Sequence, residues 1–415
     1  MSKKVVVVGG GIIGLCSAYY LQKEGCEVTV VDKTNMDEGA SYVNAGYITP
    51  SHFISLAAPG MINKGIKWMF NSSSPLYVKP RLDLEFFKWA LSFKKSATQA
   101  KVQKSISVIK DINLFSRDLY EDIKQSGDFN FHFERKGLLM CYKSDEVGEE
   151  EWEIGQQGIK VGLGVKNLTS KEVNELEPNA NLDVKGAVYY DCDAHMTPSD
   201  FMKEMTAYLK STGVTFLTNE EVQDIEVVNN IVTKVITHKQ ILSSDEVVLA
   251  AGSWSPLVTK KIGIKIPVQA GKGYRINVKR ETGITYPAIL CEAKVAVTPM
   301  DGFTRFAGTM ELGGINHYIN PKRVEAISKA AKNYYKGLEI NEQEKEQAKC
   351  GLRPCSPDGL PYIGKSSKCA NLTIATGHAM MGWSLGPATG KLVSETVLGK
   401  NTSIDLQPFS PDRKF

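Results

Sequence analysis

Residues 5 to 32 constrain this chain more than any other stretch. Val5 to Val8 is an unbroken β-branched run, as expected of a strand buried on both faces of a parallel sheet. It leads directly into Gly9-Gly10-Gly11-Ile12-Ile13-Gly14, and the pattern then predicts a helix from Ile13 to Glu24, ended by Gly25. A second strand, Glu27 to Val31, ends at Asp32. Gly9, Gly11 and Gly14 thus form a G-x-G-x-x-G turn. The first glycine permits the tight bend, the second lets backbone approach a pyrophosphate, and the third lets helix and strand pack closely. Ile12 and Ile13 stand at the helix start, where free N–H groups and the positive end of the helix dipole face phosphate oxygens. Asp32 is placed to accept ribose hydroxyls, and an acid there argues against a 2′-phosphate and so against NADP. A glycine-rich turn in an empty α/β unit would explain neither Asp32 nor the third glycine.

The rest of the chain narrows the class. With 415 residues, 42% of them hydrophobic, it can bury a full core and is expected to form two lobes. A net charge of +4, with no basic block interleaved with aromatics, excludes a strand-tracking nucleic-acid groove. The eight cysteines are scattered, with no C-x-x-C pair and no histidine at zinc-finger spacing, so neither a metal site nor a disulfide framework is expected. Reduced thiols fit a cytoplasmic setting. The basic, apolar N-terminus imitates a secretory signal, but three glycines interrupt it and a strand-like VTVVD follows. No run reaches the ~18 apolar residues of a transmembrane helix.

Further strand patterns occur at residues 214–218, 222–228 and 231–237, and Val247 to Gly252 is an apolar strand ending in small residues that let backbone lie against a ligand. A last unit runs from Leu372 to His378 through Gly382, Trp383 and Gly386 into a helix from about Pro387 to Leu398. A second anionic or electron-rich group fits that helix start, so the two ends of the sequence suit a long cofactor with two ends.

Residues 5–32, "GASYVNAGYITP" at 39–50, the "VVLAAGSWS" strand, "GLRPCSPDGLPYIG" and "ATGHAMMGWSLGPATG" together resemble the D-amino acid oxidase superfamily of flavoproteins. Within it, residues 44–70 are most similar to bacterial D-amino acid dehydrogenases of the small-subunit type. The resemblance implies an α/β fold with a Rossmann-like, doubly wound FAD domain and a second, mixed-sheet substrate domain. The FAD domain is expected from residues 1–50, 186–265 and 350–415, and the substrate domain from 51–185 and 266–349. FAD is expected to be non-covalent. Its contacts are expected from the fingerprint residues above, from Lys33, Ala40, Ser41, Asn44, Ala45 and Gly46, and from Val222, Ala251, Gly252 and Trp254. Gly377, His378, Met380, Met381, Gly382 and Trp383 complete the set, with backbone N–H groups rather than the His378 imidazole facing the flavin.

The implied reaction is oxidation of an amino acid at its carbon–nitrogen bond, with the α-hydrogen passing as hydride to flavin N5 and water hydrolysing the iminium to a keto acid and ammonia. The protein's task is then to hold Cα against the flavin, and the best handle is the α-carboxylate, gripped by a rigid guanidinium. Arg353, pinned between Gly351-Leu352 and Pro354, matches the superfamily's carboxylate-binding arginine and is expected on a fixed hairpin-like turn. Tyr274 is expected to assist it, and His52 to reach the site and tune substrate choice. His195, ahead of Pro198 with Thr197 as helix cap, reads as structural.

Met61 to Lys104 carries many aromatics and lysines at helical spacing. It fits either a substrate-domain helix pair with core aromatics or a surface that rests on a membrane and hands electrons to a quinone or other carrier. The expected function is FAD-dependent D-amino acid dehydrogenation. Oxidation of hydroxyproline, proline, glycine or sarcosine is the alternative within the same chemistry, and an electron-transfer subunit with a vestigial substrate site is the alternative outside it.

Overall fold

The computed structural model describes residues 2–55, 57 and 76–415. Residues 61–75 of the basic aromatic stretch, Trp68 and Phe70 among them, lie outside the described residues.

The β-branched strand Lys4–Val8 lies third in a six-stranded sheet ordered Thr215–Leu217, Glu27–Val31, Lys4–Val8, Glu246–Leu249, Cys369–Thr376, Tyr362–Ser366. The first five strands are mutually parallel and the last is antiparallel. Period-two alternation explains why every residue from Val5 to Val8 is apolar. Val5 and Val7 point into a core shared with the helices Ile12–Lys23 and Gly386–Leu398, while Val6 and Val8 point into a second core under the small sheet formed by Val222–Val228, Ile231–Thr237 and Ile241–Leu242. The helix Gln99–Gln125 packs on Gly386–Leu398 and gives Ile109, Ile112, Tyr120 and Ile123 to the first core. This is the Rossmann-like α/β lobe that the resemblance implies, with helices over one face and the small three-stranded sheet, rather than a second helical layer, over the other.

The second lobe is a nine-stranded mixed sheet. Its order is Lys349–Cys355, Gln269–Val278, Phe303–Leu312, Val295–Met300, Ala288–Leu290, Leu138–Tyr142, Gly186–Tyr190, Val165–Thr169, with Leu76–Val78 beside Phe303–Leu312. The helix Pro321–Tyr334 covers one face and completes a core with Tyr274, Ile276 and Val278. A small third sheet joins Tyr47–Ile48, Ala194–Met196 and Phe133–Glu134.

Three expected assignments shift. Gly186–Tyr190 and residues 350–355, assigned above to the cofactor lobe, pair within the nine-stranded sheet, and the helix Gln99–Gln125, assigned to the substrate lobe, packs into the cofactor core. The cause is that contacting partners lie far apart in sequence: a strand's own composition does not say which sheet it joins, nor a helix's apolar face which core it covers.

Candidate active site

A cavity of about 2140 Å³ is lined by both large sheets, and the G-x-G-x-x-G turn forms one end of it. Gly9 has φ +108°, and a Cβ there would stand 2.4 Å from the Ala250 carbonyl oxygen. A Cβ on Gly14 would stand 1.8 Å from the Gly9 carbonyl oxygen, so only glycine lets the helix start this close to the strand. Asp32 Oδ2 accepts from Gly10 N at 2.7 Å, and Oδ1 accepts from Thr34 N and Oγ1 at 2.8 and 2.7 Å. The carboxylate therefore shapes the turn as well as facing the cavity. Ile12 N–H, expected at the phosphate, is taken instead by Ser41 Oγ at 2.9 Å. The N–H groups of Gly11 and Ile13 have no protein partner among the described residues and remain for an anion.

Most of the other expected cofactor residues line the same cavity: Lys33, Ala40, Ser41, Asn44, Ala45, Val222, Ala251, Gly252 and Trp254, then His378 and Met380 to Trp383. Lys33 Nζ sits 3.6 Å over the Trp254 ring, and burial holds its pKa below the ordinary lysine value. Gly14, Gly46 and Gly377 lie behind the wall and shape it. Gly46, for instance, has φ +78°, and a Cβ there would stand 2.2 Å from the Met196 carbonyl oxygen. At the far end His378 Nε2 lies 3.0 Å from Thr389 Oγ1, and burial pushes its pKa down to about 3, so the imidazole is neutral and occupied. Among the described residues the N–H groups of Met380, Gly382 and Trp383 take no protein acceptor, in line with the backbone as the anion-facing group.

Arg353 lines the cavity between these ends, but not on a turn. It lies in the strand Lys349–Cys355, paired opposite Gly271, and Pro354 holds it extended. Nη1 donates to the Thr309 carbonyl at 2.9 Å. Gly273 makes room for the guanidinium: a Cβ there would meet Nη2 at 2.4 Å and Cζ at 2.5 Å. Burial holds the arginine below its ordinary pKa, and no carboxylate offsets that among the described residues. A partly exposed guanidinium facing the cavity, with most of its five donors uncommitted, is a ready site for a carboxylate.

Tyr274 borders the cavity, but its side chain turns away from the Arg353 face on which it was expected. Side chains alternate along Gln269–Val278, so Gly271 and Gly273 share the Arg353 face while Tyr274 points into the opposite core, 1% exposed. Its hydroxyl donates to Glu311 Oε2 at 2.7 Å, and Glu311 also pairs with the buried Lys272 at 3.3 Å. His52 does line the cavity. Its Nδ1 is 3.0 Å from Ser51 Oγ, which donates to Asp193 Oδ2 at 2.5 Å. Burial, aided by Lys294, pushes the His52 pKa down to about 4, and burial raises Asp193 to about 7.

Two arginines were missed. Arg305, 2% exposed, donates through Nη1 to the Tyr42 and Asn44 carbonyls at 3.0 and 2.5 Å and through Nε to Asn277 Oδ1 at 3.0 Å, fixing the loop that borders the cavity. Desolvation, reinforced by Arg275, pushes its pKa down to about 9. Arg275 shares the Arg353 face and lines the cavity. The available signal was an arginine within each of two strand patterns.

A family model described as "FAD dependent oxidoreductase" matches residues 4–396. The chain belongs to the FAD-dependent oxidoreductases. It is 31% identical over 396 residues to a D-amino acid dehydrogenase of Helicobacter pylori, covering 95% of this chain and 94% of that protein. It is 32% identical over 424 residues to a D-amino acid dehydrogenase of Vibrio atlanticus, covering 99% of each. Among solved structures, glycine oxidase from Geobacillus kaustophilus superposes with a TM-score of 0.78 at 23% identity over all of both chains. L-proline dehydrogenase from P. horikoshii superposes at 0.73 and 21%, covering 99% and 97%. FAD is thus the cofactor, and the residues fit it. The unfilled N–H groups at Gly11 and Ile13 suit a pyrophosphate, Asp32 keeps acceptor capacity for a ribose, and the N–H groups around Gly382 suit the electron-rich end of a flavin.

Proposed function

We propose that this FAD-dependent oxidoreductase dehydrogenates D-amino acids to keto acids and ammonia and passes the electrons to a quinone or other carrier. The observation that carries the reading is Arg353, enclosed in the cavity wall with Gly273 opened beneath it and no acidic partner among the described residues. Arg353 grips the α-carboxylate with two parallel hydrogen bonds and so fixes the direction in which Cα and its hydrogen point. The Thr309 carbonyl holds the guanidinium before substrate arrives, which limits the ordering cost of binding. His52, neutral at working pH, adds no further cation beside Arg353 and Arg275 to compete for the carboxylate. Trp89, Met310, Phe86 and Phe93 line the same cavity, exclude water and favour an apolar substrate side chain. FAD, when bound, supplies the acceptor for the two electrons and the α-hydrogen.

The carrier reading draws support from the helix Leu84–Ser96. Its Trp89 is core, but Leu84, Phe87 and Leu91 are exposed on one face near Lys88, Lys94 and Lys95, a composition suited to a membrane surface. No helix among the described residues is long and apolar enough to cross a membrane. The deciding experiment is anaerobic bleaching of the yellow protein by a panel of D-, L- and N-alkyl amino acids. D-amino acids with apolar side chains should reduce it fastest. Fastest reduction by sarcosine, proline or glycine would move the assignment to secondary or small amino acids, and no reduction by any member would end the enzyme reading. Hydrogen peroxide formation in air at the artificial-acceptor rate would make the protein an oxidase.

A further inference from the structure

His132, Glu134 and His195 converge well away from the arginine clamp. The sequence gives no hint of this, because His195 lies some sixty positions downstream of the other two. Strand geometry brings them together. His132 and Glu134 alternate on one face of the chain entering Phe133–Glu134, and His195 is the direct cross-strand neighbour of Glu134 in Ala194–Met196. One ligand atom from each lies within 4.8 Å of the others. His195 Nε2 is 3.4 Å and His132 Nε2 3.9 Å from Glu134 Oε2. Ligand atoms held at about 2.0–2.1 Å around one tetrahedral ion stand roughly 3.4 Å apart, so the first edge already has the right length and the second needs a side-chain adjustment of about half an ångström.

The second observation is His195 itself. It is fully buried, and neither ring nitrogen has a hydrogen-bond partner among the described residues. A buried imidazole without a partner is costly, and coordination through Nε2 would relieve one of its two unpaired nitrogens. His132 Nδ1 lies 3.1 Å from Thr197 Oγ1, which accepts from Asp301 N at 2.9 Å. This outer partner leaves His132 Nε2 free to ligate. The same contacts explain why Thr197 stands at the helix N-cap position yet makes no side-chain capping bond.

We propose that His132, Glu134 and His195 form a binding site for a zinc-class divalent cation, with water as the fourth ligand. Two imidazoles and one carboxylate suit zinc, cobalt or nickel rather than magnesium or calcium, which take oxygen-rich shells. Glu134 is partly exposed and gives the ion a way in. The ion's role is structural. His195 pairs on its other side with Tyr47, and Met196 N donates to the Gly46 carbonyl at 2.9 Å, so the site would pin the small sheet that carries the Asn44–Gly46 loop to the cavity. Lys136 Nζ, 2.9 Å from Glu134 Oε2, competes with the cation for this carboxylate and, being partly exposed, can swing away.

The test is calorimetric titration of untagged, FAD-loaded, chelator-treated protein with zinc chloride, and separately with magnesium chloride. Zinc should bind with one equivalent per chain and magnesium should not. His132→Ala and Glu134→Gln, which alter partly exposed positions and should keep wild-type FAD content, should each weaken zinc by at least about tenfold. Lys136→Met should tighten it by freeing Glu134. Absence of zinc binding at about 0.1 mM overturns the proposal, since that is far weaker than any built site. So does one-equivalent binding that neither the His132 nor the Glu134 substitution changes.

Discussion

Gly273→Ala tests the clamp without touching its charge. Gly273 does not have a positive φ, so alanine fits its backbone and the strand should form normally. The new methyl would stand 2.4 Å from Arg353 Nη2, 2.5 Å from Cζ and 2.8 Å from Nη1. Carbon and nitrogen atoms rest at about 3.5 Å or more, so the guanidinium must retreat by about 1 Å, breaking or bending its bond to the Thr309 carbonyl. A misplacement of that size at a positioning group costs on the order of 10²-fold in rate, or ~2.7 kcal/mol. The assay is stopped-flow flavin reduction by a D-amino acid under anaerobic conditions, with FAD content and thermal unfolding measured in parallel. Wild-type FAD occupancy is expected, with a loss of about two decades in reduction rate per molar substrate. A variant that reduces as fast as wild type would refute the reasoning, because the guanidinium would then not need the space that Gly273 leaves.

Asp32→Ala should purify with less FAD, since the carboxylate both organises the Gly10 and Thr34 turn and faces the cavity; full occupancy, read from the flavin-to-protein absorbance ratio, would contradict its assignment. Asp193 gives a pH signature. Its carboxyl is raised from the ordinary 3.8 to about 7, chiefly by burial, so its contribution is fully present below pH ~4, falls away as pH rises through about 7, and is constant above that. Relative to Asp193→Asn, wild-type stability in denaturant should therefore drop by roughly 3 to 4 kcal/mol between about pH 4 and pH 7.5 at ~1.4 kcal/mol per unit, and a flat difference would show that the carboxyl does not titrate there.

The parts of the molecule legible in the sequence are those whose physics is local. Val5 to Asp32 carries strand, turn, helix and acid in one continuous register, and the structure places them as that spacing requires. Arg353 was legible as a motif, but its seat was not. The space beneath it comes from Gly273 on a neighbouring strand, and the carbonyl that holds it comes from Thr309 on the next strand over. Tyr274 failed on parity: Gly271 and Gly273 put the open face on odd positions, and the alternation of Tyr274, Ile276 and Val278 already marked the even face as core. Arg275 and Arg305 were passed over because a charge within a strand reads as solvated until burial is known. His195 looked structural because nothing in the sequence pairs it with Glu134.

Carboxylate binding by Arg353 is tested most directly by comparing Arg353→Lys with wild type on two substrates: a D-amino acid and the corresponding amine without the carboxylate. Lysine keeps the charge but not the two-pronged geometry. Arg353→Lys should retain FAD and fold and lose about two or more orders of magnitude in flavin reduction by the amino acid, at ~1.4 kcal/mol per decade. The amine should be a poor substrate for both proteins, with little difference between them. If Arg353→Lys instead slows both substrates equally and sheds its flavin, Arg353 holds the cofactor or the fold, and the carboxylate assignment is wrong.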